Sequence, residues 1–345
     1  MAATALNLPP ALNHRRCASF SRCGPPEEVL EISTLPLDLP REGELLVRML
    51  AAPINPADIN FIQGVYGLKP VFPASPAGME GAGRVVVSTA SGFAVGDLVI
   101  LLRGLGSWTD YLTAPANQFL KIDKHLDPVQ AAMLRLNPLT ALRLLTGFVD
   151  LRPGDWVVQN AANSAVGRYL IQIARQLGVR TLNILRRPEV WGEELTRLGA
   201  DLVLGEAPQE TWREALGHLG GQRPRLAINA VGGESALRLM DLLEPGGTLV
   251  TYGAMSRQSL KVPNSFLIFK GLQLKGLWIT AWLEQAPREE VAACYDRLIA
   301  WMAAGRLHQA IDGLYPLDQL RQAAVRAQEP YRRGKVLLRL GDEAT

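Results

Sequence analysis

From Trp156 to Gly253 the chain alternates short apolar runs with longer stretches in which apolar residues recur every three or four positions. The runs Trp156–Ala161, Thr181–Leu185, Asp201–Leu204, Arg225–Val231 and Thr248–Gly253 have the length and near-continuous apolar character of strands covered on both faces. Between them Ala165–Leu177, Trp191–Leu198, Gln209–Leu219 and Glu234–Leu243 read as amphipathic helices. In the first of these, Val166, Leu170, Ile173, Ala174 and Leu177 form one stripe, and Gly178 marks its end. Strands alternating with helices of this length predict a doubly wound parallel sheet.

The opening third follows a different rhythm. Glu44–Met49, Gly83–Val87, Leu98–Leu102 and Tyr111–Leu112 are short runs separated by Pro and Gly, which predicts a small barrel or rolled sheet. Pro128–Gly147 reads as two helices meeting near Asn137-Pro138. Beyond the alternating region come two more expected strands within Phe266–Ile279, helices over Pro287–Ala304 and Leu317–Ala327, and a last strand, Lys335–Leu340. The expectation is an α/β chain of two domains. A β-barrel domain covers residues 16–133 and is completed by 284–345, a parallel-sheet domain covers 134–283, and residues 1–15 form a flexible tail.

Composition removes several function classes. Thirty-six Lys and Arg against 33 Asp and Glu leave a net charge of +3, too small and dispersed for a nucleic-acid or membrane-surface binder. No apolar run approaches the roughly 18 residues that cross a bilayer. Cys17, Cys23 and Cys294 build no disulfide framework, which indicates a reducing compartment. The first 26 residues contain no acid and hold Arg15, Arg16 and Arg22, as organellar presequences do. They also contain Pro9-Pro10 and turn strand-like by Arg16, so a tail on a cytoplasmic protein is expected rather than a mitochondrial one.

Candidate chemistry begins at the first strand-to-helix turn of the parallel sheet, Gln159-Asn160-Ala161-Ala162-Asn163-Ser164-Ala165-Val166-Gly167. A dinucleotide-binding turn would place glycines at 162, 164 and 167, and only Gly167 is one. An ordinary turn capped by Asn163 or Ser164 would satisfy the same residues. Its place as the first βα turn of the series favours a phosphate at the helix N-terminus. The next strand ends in Arg186-Arg187, where an acid would hold the ribose 2′-hydroxyl of NAD and arginine accommodates the 2′-phosphate of NADP. The expected cofactor is NADPH.

Further segments fit the same picture: Ala51–Gly67 (AAPINPADINFIQGVYG), Gly104–Trp108 (GLGSW), Asn137-Pro138 with Thr140-Ala141, Ala230–Gly233 (AVGG), Gly247–Met255 (GTLVTYGAM) and Phe266–Trp278 (FLIFKGLQLKGLW). With the nucleotide turn they resemble the medium-chain dehydrogenase/reductase family, and within it the zinc-free enoyl thioester reductase branch. The resemblance runs from about Arg16 to Leu340 and implies a GroES-like catalytic domain beside a Rossmann cofactor domain. Zinc alcohol dehydrogenases of this superfamily hold a catalytic zinc with Cys and His. The corresponding regions here carry Asn55 and Met79-Glu80, and His14, His125, His218 and His308 are scattered singly, so no metal is expected.

The implied activity is NADPH-dependent reduction of trans-2-enoyl thioesters, carried on coenzyme A or acyl carrier protein, in fatty-acid metabolism. Hydride adds to the β-carbon, and Tyr66 matches the tyrosine that the family uses to protonate the α-carbon. A phenol suits this role because it keeps its proton at neutral pH. The same comparison gives the cofactor contacts as Asn137, Asn163, Ser164, Ala165, Val166, Gly167, Arg186, Arg187, Tyr252, Gly253, Ala254, Met255, Leu277, Trp278, Ile279 and Lys335. The segment Leu267–Ile279 resembles the one through which family members pair sheets, which implies a homodimer. Arg135-Leu136 and Leu139 depart from the family pattern beside Asn137-Pro138 and bear on substrate preference. Two other readings remain: a zinc-free NADPH quinone or enone oxidoreductase, and a non-catalytic NADPH-binding regulatory protein.

Overall fold

The computed structural model describes residues 13–206, 216–217 and 219–341. They fall into two compact units, residues 13–135 with 309–341, and Leu136–His308.

The first unit is built on the strand Glu44–Pro53, whose apolar residues are almost all buried. Its partners are Ala82–Ser88 and Tyr111–Pro115 along most of its length and Lys335–Arg339 at its end, all antiparallel. The pairing with Ala82–Ser88 shifts register at Leu46/Val47 and Met49/Ala51, while Tyr111–Pro115 takes residues 44–48 and Lys335–Arg339 takes residues 51–53. Leu98–Leu101, Phe119–Lys121 and Ile311–Pro316 complete a seven-stranded sheet. A second, three-stranded sheet joins Glu31–Pro36, His14–Phe20 and Ser75–Pro76. Phe20 meets Phe61 edge to face with ring centroids 5.6 Å apart, and Trp108 is fully buried with its Nε1 donating to Pro53 O at 3.4 Å.

The second unit holds a six-stranded, wholly parallel sheet. Across it the strands run Leu202–Gly205, Arg180–Leu185, Trp156–Gln159, Leu226–Asn229, Thr248–Thr251 and Gln273–Gly276. Val158, Leu182, Ile184, Ala227 and Leu249 from the strands pack with Leu239 and Leu243 in one core. The helix Ala165–Leu177 has the bounds its stripe predicts: Ser164 caps it by accepting from Gly167 N, and Gly178 ends it at φ +71°.

Several expectations change. Phe266–Ile279 is not two strands: Asn264–Ile268 is a short helix started after Pro263, and Gly271 at φ +63° turns the chain into the single strand Gln273–Gly276. Apolar residues alone do not separate a short helix from a strand. The chain returns to the first unit at Gln309 rather than near 284, because helix Arg288–Ala303 is tied to helix Asn137–Thr146 through Arg143 and Glu290 at 2.8 Å. The first strand starts at His14, inside the span assigned to the tail, whose residues 1–12 lie outside the described residues. Most of the expected helix Gln209–Leu219 lies outside them too.

Candidate active site

Because every strand of the second unit's sheet is parallel, the loops that follow the strands gather at one edge of it. There the turn after Trp156–Gln159 makes its bend without the expected glycines. Ala161 takes the left-handed conformation at φ 48°, a strained position for a side-chain-bearing residue. Gly167 is required sterically, since a Cβ on it would stand 2.5 Å from Ala162 O. Asn163 and Ser164 are half-buried, and Asn163 O accepts from Arg168 Nε at 3.0 Å. The first N–H groups of helix Ala165–Leu177 have no carbonyl partner within the helix and carry its positive dipole end.

Most of the other expected cofactor residues of this unit follow strands of the sheet at the same edge. Arg186 and Arg187 are exposed at the end of Arg180–Leu185, and Arg187 stands at the N-cap of helix Pro188–Leu198. Tyr252 follows strand Thr248–Thr251 and donates from its backbone to Asn229 O at 3.0 Å. Met255 N donates to Ala230 O at 2.9 Å, while Gly253 leaves room for that carbonyl. Leu277 N donates to Thr251 O at 3.0 Å, exposed Trp278 caps helix Ile279–Gln285, and Ile279 is buried. Ala254 is exposed, and Asn137 is buried as the first residue of helix Asn137–Thr146.

Two features at this edge were not legible in the sequence. Tyr252 and Ser164 share a hydrogen bond, so the cap of the nucleotide turn and the loop after Thr248–Thr251 are joined. Burial pushes the Tyr252 hydroxyl up to about 12, with that hydrogen bond acting the other way. A net of neutral amides lies beneath. Asn160 Nδ2 donates to Asn229 Oδ1 at 2.8 Å and Ser235 Oγ at 3.0 Å, while Ala230 N donates to Asn160 Oδ1 at 2.7 Å. Gln159 Nε2 reaches Asn183 Oδ1 at 2.8 Å and Gly167 O at 3.0 Å. Polar residues closing apolar strands were the available signal for this net.

In the first unit, Tyr66 lies half-buried in the loop after helix Pro56–Ile62. That loop is fixed by Val65 N and Tyr66 N, which both donate to Asn60 O, at 2.9 and 3.1 Å. Lys335, the first residue of its strand, is buried and donates to Ile54 O at 3.1 Å and to Asn55 Oδ1. Burial pulls its ammonium down to about 8, with Glu80 and Asp58 pulling it back up. Asp58, desolvated in the same place, is pushed up to about 6 despite accepting from Asn55 N and Met79 N. Asn55, Asp58 and Glu80 had no assigned role in the sequence reading. Among the described residues, no group of three His, Cys, Asp or Glu is arranged to hold a metal ion.

Comparison with known proteins covers both units. A zinc-binding dehydrogenase family model matches residues 165–299, and an alcohol dehydrogenase GroES-like domain model matches residues 41–124. The rat mitochondrial enoyl-[acyl-carrier-protein] reductase is 39% identical over 325 residues, 92% of this chain and 87% of that protein. The mitochondrial 2-enoyl thioester reductase Etr1p/Etr2p heterodimer from Candida tropicalis superimposes with a TM-score of 0.86 at 31% identity, over 94% of this chain and 99% of that one. A complex of Etr1p with NADP and crotonyl-CoA matches equally well, with a TM-score of 0.86, 30% identity and the same coverage. A quinone oxidoreductase from Pseudomonas syringae is more distant, with a TM-score of 0.82 and 25% identity. The cytoplasmic location expected above is overturned, because the enoyl reductase relatives from rat, nematode, frog and plant are all named as mitochondrial. The acid-free, arginine-bearing first 26 residues were the sequence feature that pointed that way.

Proposed function

The chain belongs to the medium-chain dehydrogenase/reductase superfamily, in the branch of the enoyl thioester reductases, and from that premise we propose how its residues divide the work. It is an NADPH-dependent oxidoreductase that reduces trans-2-enoyl thioesters. The observation that carries the reading is the match along nearly the whole chain to enoyl reductases, one of them in complex with NADP and crotonyl-CoA.

The residues of the second unit fit this cofactor. The N–H groups of Ala165 and Val166, the first of the helix, suit a pyrophosphate beside Asn163 and Ser164, and close approach of the helix to the turn is secured at Gly167. Arg186 and Arg187, exposed at a strand end with no carboxylate between them and Glu189, suit the 2′-phosphate. Asn137, Tyr252–Met255 and Leu277–Ile279 serve the remainder of the cofactor, and Lys335 is read as a further contact. Bound NADPH supplies the hydride that reaches the β-carbon of the thioester.

Tyr66 supplies the proton. As the β-carbon is reduced, negative charge passes to the thioester carbonyl, and the α-carbon takes the phenolic proton. The Asn60 carbonyl anchors the backbone of that loop at two consecutive amides, which gives Tyr66 a fixed base from which to donate. The acyl group is carried on coenzyme A or acyl carrier protein. The chain also self-associates: strand Gln273–Gly276 is an exposed sheet edge, and exposed Leu267, Ile268, Phe269 and Leu274 lie on or next to it.

The test is NADPH consumption with crotonyl-CoA, trans-2-decenoyl-CoA, the same acyl groups on acyl carrier protein, and a simple quinone, with NADH as control. Thioester reduction with NADPH, and little with NADH, is expected. Quinone turnover without thioester turnover would transfer the chain to the quinone reductases. NADPH binding with no turnover of any substrate would favour a regulatory protein.

A further inference from the structure

Four polar side chains of the first unit are withdrawn from solvent together: Asn55, Asp58, Glu80 and Lys335 are exposed by 3%, 1%, 0% and 7%. The reaction described above uses Lys335 alone. Lys335 Nζ donates to Ile54 O at 3.1 Å and to Asn55 Oδ1, and the same amide donates through Nδ2 to Glu80 Oε1 at 2.7 Å. Asn55 is therefore a bridge whose oxygen faces an ammonium and whose nitrogen faces a carboxylate. The opposite orientation would set donor against donor and acceptor against acceptor. The bridge is pinned in turn by Asp58: Asn55 N donates to Asp58 Oδ2 at 2.8 Å, and Met79 N donates to Asp58 Oδ1 at 3.0 Å.

Stability alone gives no reason for this arrangement, because apolar residues of equal volume commonly replace a buried ion pair without loss. A use for the cation does give one. A lysine ammonium has three N–H donors, and among the described residues the hydrogen bonds of Lys335 occupy two, to Ile54 and Asn55. Four charged groups bear on this frame. Glu80 and Asp58 hold the proton on Lys335, Arg332 opposes it, and Arg135 favours the ionised form of Asp58.

We propose that Asn55 and Glu80 are positioning residues for the reduction, fixing the Lys335 ammonium so that its remaining N–H is presented to an acceptor of the bound cofactor or thioester. This rests on the reading of Lys335 as a ligand contact. Asp58 acts one step further out, by holding the backbone of Asn55.

A double-mutant cycle between Glu80 and Lys335 tests it, with kcat, KM for NADPH and crotonyl-CoA, and the NADPH dissociation constant by fluorescence. E80Q should lower kcat/KM by about ten- to hundredfold, the scale of one hydrogen bond to a charged group. In a K335M background E80Q should cost almost nothing more, because its effect passes through the ammonium. The alkaline limb of kcat/KM should begin at lower pH in E80Q than in the wild type, since removing an anion weakens the hold of Lys335 on its proton. E80D should recover part of the loss. Equal losses from E80Q with and without Lys335, or a fall in melting temperature with the pH profile unmoved, would overturn the proposal. If E80Q does not fold, N55S carries the same cycle. A wild-type enzyme that turns over no thioester would refute the assigned function, while the NADPH titrations would still read the frame.

Discussion

The two units solve the problem of a polar site by opposite means. In the parallel-sheet unit the candidate cofactor residues are held mainly by backbone groups and neutral amides, with Ser164 at the helix N-terminus and Asn160 bonded to Asn229, Ser235 and the backbone of Ala230, while Arg168, a permanent cation, donates to Asn163 O. In the barrel unit the buried polar groups carry formal charge, with Lys335 against Asn55 and Glu80, and Asp58 beside them. Neutral amides stay neutral across the working pH range, so the nucleotide edge is a fixed frame. The charged cluster has members whose proton affinities are displaced toward neutrality, Asp58 to about 6 and Lys335 to about 8. Binding and proton chemistry place different demands on a fold, and each unit meets one of them.

The contrast can be broken most forcefully at Asn160. N160A leaves the buried Ala230 N–H without its acceptor and removes the Asn160 donor to Ser235 Oγ and to Asn229 Oδ1, which keeps Val231 N and Gly232 N. A loss of about 2 kcal/mol of unfolding free energy is expected, from one orphaned buried amide at ~1–3 kcal/mol. Urea unfolding checks it, and the loss should be the same at pH 6 and pH 8, because no ionisable group takes part. A pH-dependent loss would erase the distinction between the two units.

The double variant R186A/R187A sharpens the comparison from the cofactor side. KM for NADPH should rise about tenfold or more, the scale of a charge-assisted contact to phosphate, with NADH kinetics unchanged. A rise for both cofactors alike would show that the pair acts on the fold and not on the 2′-phosphate. The smallest effect is expected at Ser164. S164A removes the side-chain cap to Gly167 N at 3.1 Å and the partner of Tyr252, costing about 1 kcal/mol in thermal unfolding.

The same contrast explains what the sequence could and could not show. The helix Ala165–Leu177 was legible to its ends, because periodicity, a serine cap and a terminal glycine all act locally. The nucleotide turn was half legible: Gly167 stood where packing requires it, while Ala162 and Ser164 stand where the pattern has glycines and the left-handed residue is Ala161. Phe266–Ile279 misled because Leu267, Ile268, Phe269 and Leu274 are exposed on a short helix and an edge strand, while Phe266 and Leu272 join the core without a second strand. The frame around Lys335 left no trace in the pattern. Its members come from a loop, a helix and the last strand, and hydrogen bonds between residues so distant in sequence have no period. Tyr66 and Lys335 were reached through resemblance, Asn55 and Glu80 were noticed only as standing where zinc ligands would be, and their link to Lys335 and Asp58 came through the structure.

The central claim is that Tyr66 supplies the proton while other residues hold the cofactor, and Y66F tests it most directly. NADPH affinity by fluorescence titration and crotonyl-CoA turnover would be measured on the same preparation. The account predicts an NADPH dissociation constant equal to that of the wild type and a kcat lower by about a hundredfold or more, the contribution of a positioned general acid. Full turnover by Y66F on every enoyl thioester that the wild type accepts would contradict it.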